Sequence, residues 1–415
     1  MSKEIGKLVP RVLFLTANAS LADGISRHIL NVCSYLVRQK QAVEVAVCIT
    51  HPYGDLSREL ERHGIKVYHL NVPHGHDFRI FLRFKCVLAD FKPTLLHIHI
   101  HSLFVMYSIG LFGKGIPVVT TYHGCHDPQP VPSTMVEKVK GGLAVARGRI
   151  LAFVSKCMGA VNRAYYIYIS TLTKEKREVK GVPGEILFNP IQVHATDLVA
   201  IRQHRREKRS RIIKTLQDEY GYRGKTDVRM VGIVGRLDKV KDLPSFLKVC
   251  NHIHEKMQDV LFVIVGCGPD EELRESEDAG KLGTNLIWTG YRTDARDFIS
   301  AFDVLLMTSQ REGMPTVVLE AMSLGTLVCS FPVPGGMEDI DRLSKDRGIQ
   351  TCVFVGHRDC VEMGDKVCEM LTGDVEKNCK PYREGAIALL KECFSVDIIG
   401  NRLIEIYRNV SAEVL

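Results

Sequence analysis

Short apolar runs alternate with longer segments of helical spacing, and the alternation occurs twice along one chain. In the first series Val12–Thr16, Val43–Ile49, Lys66–Leu70, Leu95–Ile100 and Val118–Tyr122 read as buried strands. Ile25, Ile29, Val32, Cys33 and Leu36 recur at helical spacing between the first two, and Leu56–His63 and Phe78–Phe91 read as further helices. Gly148–Val154 and Gly184–Phe188 complete the series. The second series runs strand Met230–Val234, helix Leu243–Met257, strand Leu261–Val265, helix Glu271–Ala279, strand Leu286–Thr289, helix Ala295–Ser300, strand Val304–Met307, helix Pro315–Leu324 and strand Leu327–Ser330. Strands joined through helices predict parallel sheets covered on both faces. The expected class is α/β, with two Rossmann-like doubly wound domains and a ligand cleft at the carboxyl ends of the strands. A last helix, Ser395–Val410, puts Ile399, Leu403, Ile406, Tyr407 and Val410 on one face, with Ser395 as its cap.

Charge divides the chain in the same place. Residues 1–190 carry a net +11, residues 191–225 a net +5 and residues 226–415 a net −9. The basic run Arg202, Arg205, Arg206, Lys208, Arg209 and Arg211 has little apolar content and reads as an exposed helix or connector at the boundary. Domains are therefore expected over 1–190 and 191–394. The 13 cysteines are odd in number and form no CxxC pair. Reduced thiols in a cytoplasmic protein are the expectation. The N-terminus lacks the apolar core of a signal peptide, and Leu103–Phe112 is about half of the ~20 residues a membrane span needs.

The densest chemical signal is SQREGMPTVVLEAMSLG, from Ser309 to Gly325. A strand ends, a loop carries Glu312 and Gly313, and Pro315 opens a helix that holds Glu320. A helix N-terminus offers unpaired N–H groups to an anion or to hydroxyls. Two carboxylates eight residues apart suit hydrogen bonding to a polyol; the plain alternative is a solvated Glu312 and a helix-surface Glu320. In GIVGRLDKVK, Gly235 lets a ligand approach the backbone, Arg236 offers a planar fork for phosphate oxygens, and Lys241 a point charge. Taken alone, these cations read as surface residues. Asp23-Gly24 stands at the first strand–helix junction, and Gly266-Cys267-Gly268-Pro269 is a glycine turn after a strand. No GxGxxG occurs, so the nicotinamide fingerprint is missing. His97, His99 and His101 share one strand face; they line the strand's end or pack there, and three imidazoles can also bind zinc.

The ordered set Gly24, His123, Gly235-Arg236, Lys241, Gly266-x-Gly268, Gly290-Tyr291, Glu312-x7-Glu320 and Gly335-Gly336-x-Glu338 resembles the family-4 retaining glycosyltransferases of GT-B architecture. The resemblance covers nearly the whole chain and is strongest from Val231 to Glu338. It implies that Arg236 and Lys241 hold the diphosphate of a nucleotide-sugar and that Glu320 binds the ribose. Glu312, with Gly313, Met314 and Pro315, would bind the donor sugar. Gly24 would let its loop close over the diphosphate, and His123 would lie beside the sugar. Gly235 would admit the diphosphate, and the base would stack near Gly266, Gly268, Tyr291 and Arg292. The last helix, 395–415, would cross back onto the first domain. The resemblance also implies front-face attack with retention, no metal, and no cofactor beyond the nucleotide-sugar co-substrate. Expected partners are a nucleotide-sugar, UDP before GDP, and a carbohydrate or lipid-linked hydroxyl acceptor of polysaccharide, lipopolysaccharide or glycolipid synthesis.

Three departures stand out, the first being that the region from Ile340 to His357 does not match the family's usual pattern. Lys241 is followed by Asp242 where the family usually has glycine, and Asp23 replaces the first glycine of the first-domain loop. Asp339-Ile340-Asp341 matches the DxD string of a different glycosyltransferase fold. Gly224-Lys225-Thr226 is not a phosphate loop, because Glu219 stands where that motif needs glycine. The basic run lacks the aromatic platform of a nucleic-acid binder, so no nucleic-acid partner is expected. An epimerase of the same architecture, or a non-catalytic nucleotide-sugar-binding protein, is the alternative. Phe78, Phe81 and Phe84, interleaved with Arg79, Arg83 and Lys85, form either a face for an anionic membrane surface or a core stripe edged by solvated cations.

Overall fold

The computed structural model describes residues 9–21, 23–39, 41–72, 77–100, 102–124, 163–193 and 197–412. The chain forms two compact units, Met1–Pro190 with Val396–Leu415, and Ile191–Ser395.

The strands of unit 1 are β1 (Arg11–Thr16), β2 (Glu44–Ile49), β3 (Lys66–His69), β4 (Leu95–Ile98), β5 (Val118–Tyr122), β6 (Ala164–Tyr168) and β7 (Gly184–Ile186). They make one parallel sheet in the order β3-β2-β1-β4-β5-β6-β7. Among the described residues α1 (Gly24–Leu36), α2 (Asp55–Arg62), α3 (Arg79–Phe91), α4 (Leu103–Phe112) and α5 (Thr171–Arg177) connect them. The continuous apolar strands have a simple cause. Val12 and Phe14 face one core with Ile29 and Val32, while Leu13 and Leu15 face the other with Ile80, Phe84 and Ile109. Both faces are covered, so neither parity of the strand can be polar. The last helix of the chain, Val396–Ala412, buries Ile399, Leu403, Ile406 and Tyr407 in the first of these cores. Each such side chain contributes about 1.5–3 kcal/mol through burial. The sequence reading passed over β6, whose tyrosines read poorly as a buried strand. Tyr166 and Tyr168 are nonetheless covered and pack with Tyr122. The expected strand at Gly148–Val154, and His101, lie outside the described residues.

Unit 2 opens with α6 (Leu198–Tyr220) and continues β8 (Arg229–Val234), α7 (Leu243–Lys256), β9 (Val260–Val265), α8 (Glu277–Leu282), β10 (Leu286–Gly290), α9 (Ala295–Ala301), β11 (Val304–Met307), α10 (Thr316–Ser323), β12 (Leu327–Ser330), α11 (Gly336–Asp346), β13 (Val353–Phe354), α12 (Cys360–Leu371) and α13 (Val375–Leu389). Its parallel sheet has the order β10-β9-β8-β11-β12-β13. Three expectations are corrected. The helix expected over Glu271–Ala279 is a 3-10 stretch, Pro269–Glu275, followed by α8, because Ser276 breaks it and caps the second piece through the Ala279 N–H. Pro315 is the cap of α10 and not its first turn. The basic run is not a solvated connector. Arg205 is buried and donates to Thr326 Oγ1 (2.6 Å) and the Phe302 carbonyl (2.7 Å), while Arg209 donates to the Ala301 carbonyl (2.7 Å) and Asp303. These carbonyls end α9 and lack helical partners, so the guanidinium forks take the place of water there. Burial lowers the Arg205 pKa to about 10, which leaves it charged.

Candidate functional site

In unit 2 the strand order reverses between β8 and β11, and the loops that follow these two strands meet at the carboxyl edge of the sheet. Val240 accepts from the Gln310 N–H at 2.7 Å, and the Thr308 hydroxyl donates to the Lys241 carbonyl at 2.8 Å. This seam carries the ionic pair of the site. Lys241 Nζ donates to Glu312 Oε1 at 2.7 Å, and the Ser309 hydroxyl donates to the same oxygen at 2.8 Å. Both side chains are mostly buried, at 16% and 17% exposure, so the pair is screened little by water. An ammonium has three N–H donors. One goes to Glu312, which thereby orients the cation, and Glu312 Oε2 takes neither of these bonds.

Two close backbone approaches fix these loops. A Cβ on Gly266 (φ +140°) would stand 1.8 Å from the Gly235 carbonyl oxygen, and one on Gly335 (φ +105°) 1.9 Å from that of Glu312. Only glycine fits either place. Glu312 N–H also donates to the Pro334 carbonyl, and Met314 packs on Gly336, so the turn 334–336 seats the loop 312–315. Leu237 exchanges backbone bonds with Cys267 and Asp270, which sets the Gly268 turn against the loop that holds Arg236.

The structure thus brings together Gly235, Lys241, Glu312, Gly313, Met314, Gly266 and Gly268. Pro315 follows as the cap of α10, on which Glu320 is nearly buried at 9% exposure. Arg236 is on the seam's first loop, with Nε and Nη2 on Asp238 Oδ2 at 2.8 and 2.5 Å and 79% of its side chain exposed. Gly266 N–H reaches the Gly290 carbonyl, one residue before Tyr291, whose ring is about half exposed. Arg292, the next residue, has its guanidinium held by Asp294 and Glu219 and lying over Phe298. Asp339, which is buried, pairs with Arg342, and Asp341 pairs with Lys345, so both carboxylates of the DxD string bond along their own helix α11. Sequence reading missed Ser309 and Arg358, whose guanidinium donates to the Ser309 carbonyl. Ser309 lies inside the motif but has a generic residue type; Arg358 lies outside every motif of the sequence.

Gly24 and His123 belong to unit 1. Gly24 is the first residue of α1, behind the Asp23 cap, which accepts from Ile25 N–H. His123 follows β5 and meets His99 after β4, Nε2 to Nδ1 at 2.7 Å. His28 on α1 packs edge-on to His123, and its Nδ1 bonds Asn189 Oδ1 at 3.0 Å. His97 instead points into the core, between Tyr407 OH (2.7 Å) and Thr121 Oγ1 (2.8 Å). His28, His99 and His123 each bring one ligating atom within 4.8 Å of the others, a set that could hold a metal ion. Two nitrogens on one tetrahedral zinc stand about 3.3 Å apart, given bonds of about 2.0–2.1 Å. The shorter His99–His123 separation is that of a hydrogen bond between two rings, one donating and one accepting.

Burial is the main cause that lowers the His28 pKa, to about 4, against a smaller raising effect of Asn189; burial also drives His97 well below its ordinary value. A buried neutral histidine binds its proton later than the unfolded chain does. Stability is therefore full above pH 6.5 and falls as the pH drops toward 4, with His28 contributing up to about 3 kcal/mol of that loss. Urea melts at pH 7, 5 and 4 should show this decline, and His28→Gln should flatten it in part. Equal pH slopes for the two proteins would contradict the assignment.

Comparison with known proteins accords with this layout. A family model described as Glycosyltransferase Family 4 matches residues 22–184, and one described as Glycosyl transferases group 1 matches residues 228–373. A 2-deoxystreptamine N-acetyl-D-glucosaminyltransferase of Streptomyces fradiae is 25% identical over 256 residues, 60% of this chain and 56% of that protein. A UDP-Gal:alpha-D-GlcNAc-diphosphoundecaprenol alpha-1,3-galactosyltransferase of Escherichia coli is 36% identical over 98 residues, 22% of this chain and 25% of that one. The matched stretch thus spans about half of the first relative and a quarter of the second. The crystal structure of Anabaena HepE in complex with UDP-glucose superposes with a TM-score of 0.71 at 15% identity, over 96% of this chain and all of that one. At this identity the likeness is one of fold.

Proposed function

We propose, from the premise that this chain belongs to the family-4, group 1 glycosyltransferases of GT-B architecture, that it moves a sugar from a nucleotide-sugar to a hydroxyl acceptor with retention at the anomeric carbon. The observation that carries this reading is the Lys241–Glu312 pair beside Gly235 at the switch point of unit 2. In the reaction the bond from the anomeric carbon to the β-phosphate oxygen breaks. The acceptor oxygen bonds the same carbon from the same face, and its proton passes to a β-phosphate oxygen. Charge builds on the leaving diphosphate. Lys241 and the N-terminus of α10 are fixed groups of the sign that stabilises it without reorganising, and Arg236 adds a guanidinium that turns from Asp238 to the phosphates. Glu312 holds Lys241 in place and offers Oε2 to a sugar hydroxyl; Glu320 takes a ribose hydroxyl. UDP is the preferred carrier, since a UDP-glucose complex exists for a protein of the same fold.

The test is incubation with UDP-sugars in the presence and absence of acceptors. Acceptor-dependent release of UDP is expected. Interconversion of a UDP-sugar to its epimer with no acceptor would establish the epimerase instead. Glu320→Ala should weaken UDP-sugar binding about tenfold or more, the loss of a hydrogen bond to a charged group. Unchanged binding by calorimetry would remove Glu320 from the site.

The acceptor reading extends to a lipid surface. Phe78, Leu82 and Leu111 of the α3–α4 face are 76%, 72% and 65% exposed, next to Tyr107 and Phe112. Phe78, Phe81 and Phe104 form one aromatic cluster, and Lys85 lies over the Phe112 ring. The register differs from the expected stripe. Phe84 is buried in the core and Arg83 bonds the Leu70 and Asn71 carbonyls, so Leu82 takes the outward place. Arg79, Lys85 and Lys114 with the net +11 of residues 1–190 favour an anionic bilayer as the occupant. No described helix is long and apolar enough to cross a membrane. Co-sedimentation with anionic vesicles is expected and should be lost in Leu82→Asp/Leu111→Asp; binding indifferent to lipid charge would contradict the proposal.

A further inference from the structure

Asp242, the residue after Lys241, occupies a backbone position that favours glycine. Its backbone is left-handed, φ +52° and ψ +56°, a conformation that few side chains accept but aspartate tolerates. What the carboxylate does in return is specific. Asp242 Oδ1 caps α7 at the Ser245 N–H (3.4 Å), and Oδ2 accepts from the Ser245 hydroxyl (2.8 Å) and from Arg358 Nη2 (2.5 Å). Arg358 comes from the turn between β13 and α12. Its guanidinium also donates to the Ser309 carbonyl from Nη1 (2.8 Å) and to the Thr308 carbonyl from Nη2 (2.7 Å), and it lies 4.8 Å over the Phe331 ring.

The contacts close a ring. Asp242 is bonded in sequence to Lys241. Thr308 bonds the Lys241 carbonyl, and Ser309 bonds the Glu312 carboxylate that holds the Lys241 ammonium. One planar fork therefore joins the two loops that meet at the switch point. We infer that Arg358 and Asp242 form a positioning clamp that sets Lys241 and Glu312 for turnover. The inference rests on the donor-site reading above. Neither residue touches the ionic pair through its side chain, so both are positioning residues and act through Thr308, Ser309 and the Lys241 backbone. Lysine cannot replace Arg358, because a point charge cannot span two carbonyls and a carboxylate in one plane. Glycine at 242 keeps the backbone and forfeits the bridge.

The test uses the full chain with Arg358→Ala, Arg358→Lys, Asp242→Gly and the double variant Arg358→Ala/Asp242→Gly. Three readouts are taken: kcat and KM with a UDP-sugar, UDP binding by calorimetry, and amide hydrogen exchange over residues 236–242 and 308–312. Arg358→Ala should lower kcat about tenfold with KM and UDP affinity within about twofold, because the groups stay present but are misplaced. Arg358→Lys should recover little of this. Asp242→Gly should lose rate in spite of its relaxed backbone, and the double variant should be no worse than the poorer single one. Exchange at 308–312 should quicken in every variant. Wild-type exchange rates in Arg358→Ala, or additive losses in the double variant, would overturn the clamp. A wild-type chain that binds no UDP would instead overturn the donor-site reading, and the exchange data would still decide the clamp.

Discussion

Lys241→Ala lowers turnover by about a hundred- to a thousand-fold in a chain that still folds. The magnitude is that of deleting one preorganised donor from a site where charge develops in the transition state. The loss has two parts. The ammonium that faces the leaving diphosphate is gone, and the Glu312 carboxylate, mostly buried and left with Ser309 alone, repels the same diphosphate. Removing one partner of a buried pair is costly for this second reason. Glu312→Gln then separates the parts. The amide still accepts from Lys241 and adds no negative charge, so this variant should lose far less than Lys241→Ala. Steady-state kinetics with a UDP-sugar and a thermal melt of each variant provide the check. A Lys241→Ala enzyme within tenfold of the wild-type rate contradicts the role.

Gly335→Ala is expected to be among the most damaging small substitutions in unit 2. The added carbon would overlap the Glu312 carbonyl oxygen at 1.9 Å, and the backbone is in the region that favours glycine. The loop 312–315 must move away, so stability should fall by about 3 kcal/mol or more, from strain and overpacking together, and UDP-sugar binding should fall with it. Gly373→Ala is the control. Its φ is +69° but nothing stands within 4 Å, so it bears the conformational cost alone, about 1 kcal/mol. Urea denaturation of the pair isolates the close approach. Equal losses for the two variants would mean that the turn at Gly335 does not seat the Glu312 loop.

The parts of this fold that were legible in the sequence are those set by local pattern. Val304–Met307 and Leu327–Ser330 are observed as read, because strands covered on both faces must be apolar at every position. The same logic failed where polarity misleads. Ala164–Tyr168 is a strand paired on both sides whose Tyr166 and Tyr168 are buried, and Arg205 is buried because helix-end carbonyls need its donors. In the site, the residue types and their order along the chain were legible and their pairings were not. Glu312 was expected on the sugar and Lys241 on the phosphate, yet the two hold each other, across 71 positions of sequence. That contact follows from the strand order, which places β8 beside β11. Arg292 is a second case, since the resemblance placed it near the base and only the structure shows its ion pairs with Asp294 and Glu219. Asp242 was visible as a departure, and only the left-handed backbone and the Arg358 fork explain it.

The direct measurement is a crystal structure of the chain soaked with a UDP-sugar. The diphosphate should lie over Gly235, with its oxygens within about 3 Å of Lys241 Nζ and the Arg236 guanidinium, and the ribose should reach Glu320. A nucleotide bound elsewhere, with Lys241 and Arg236 turned from its phosphates, would contradict the account.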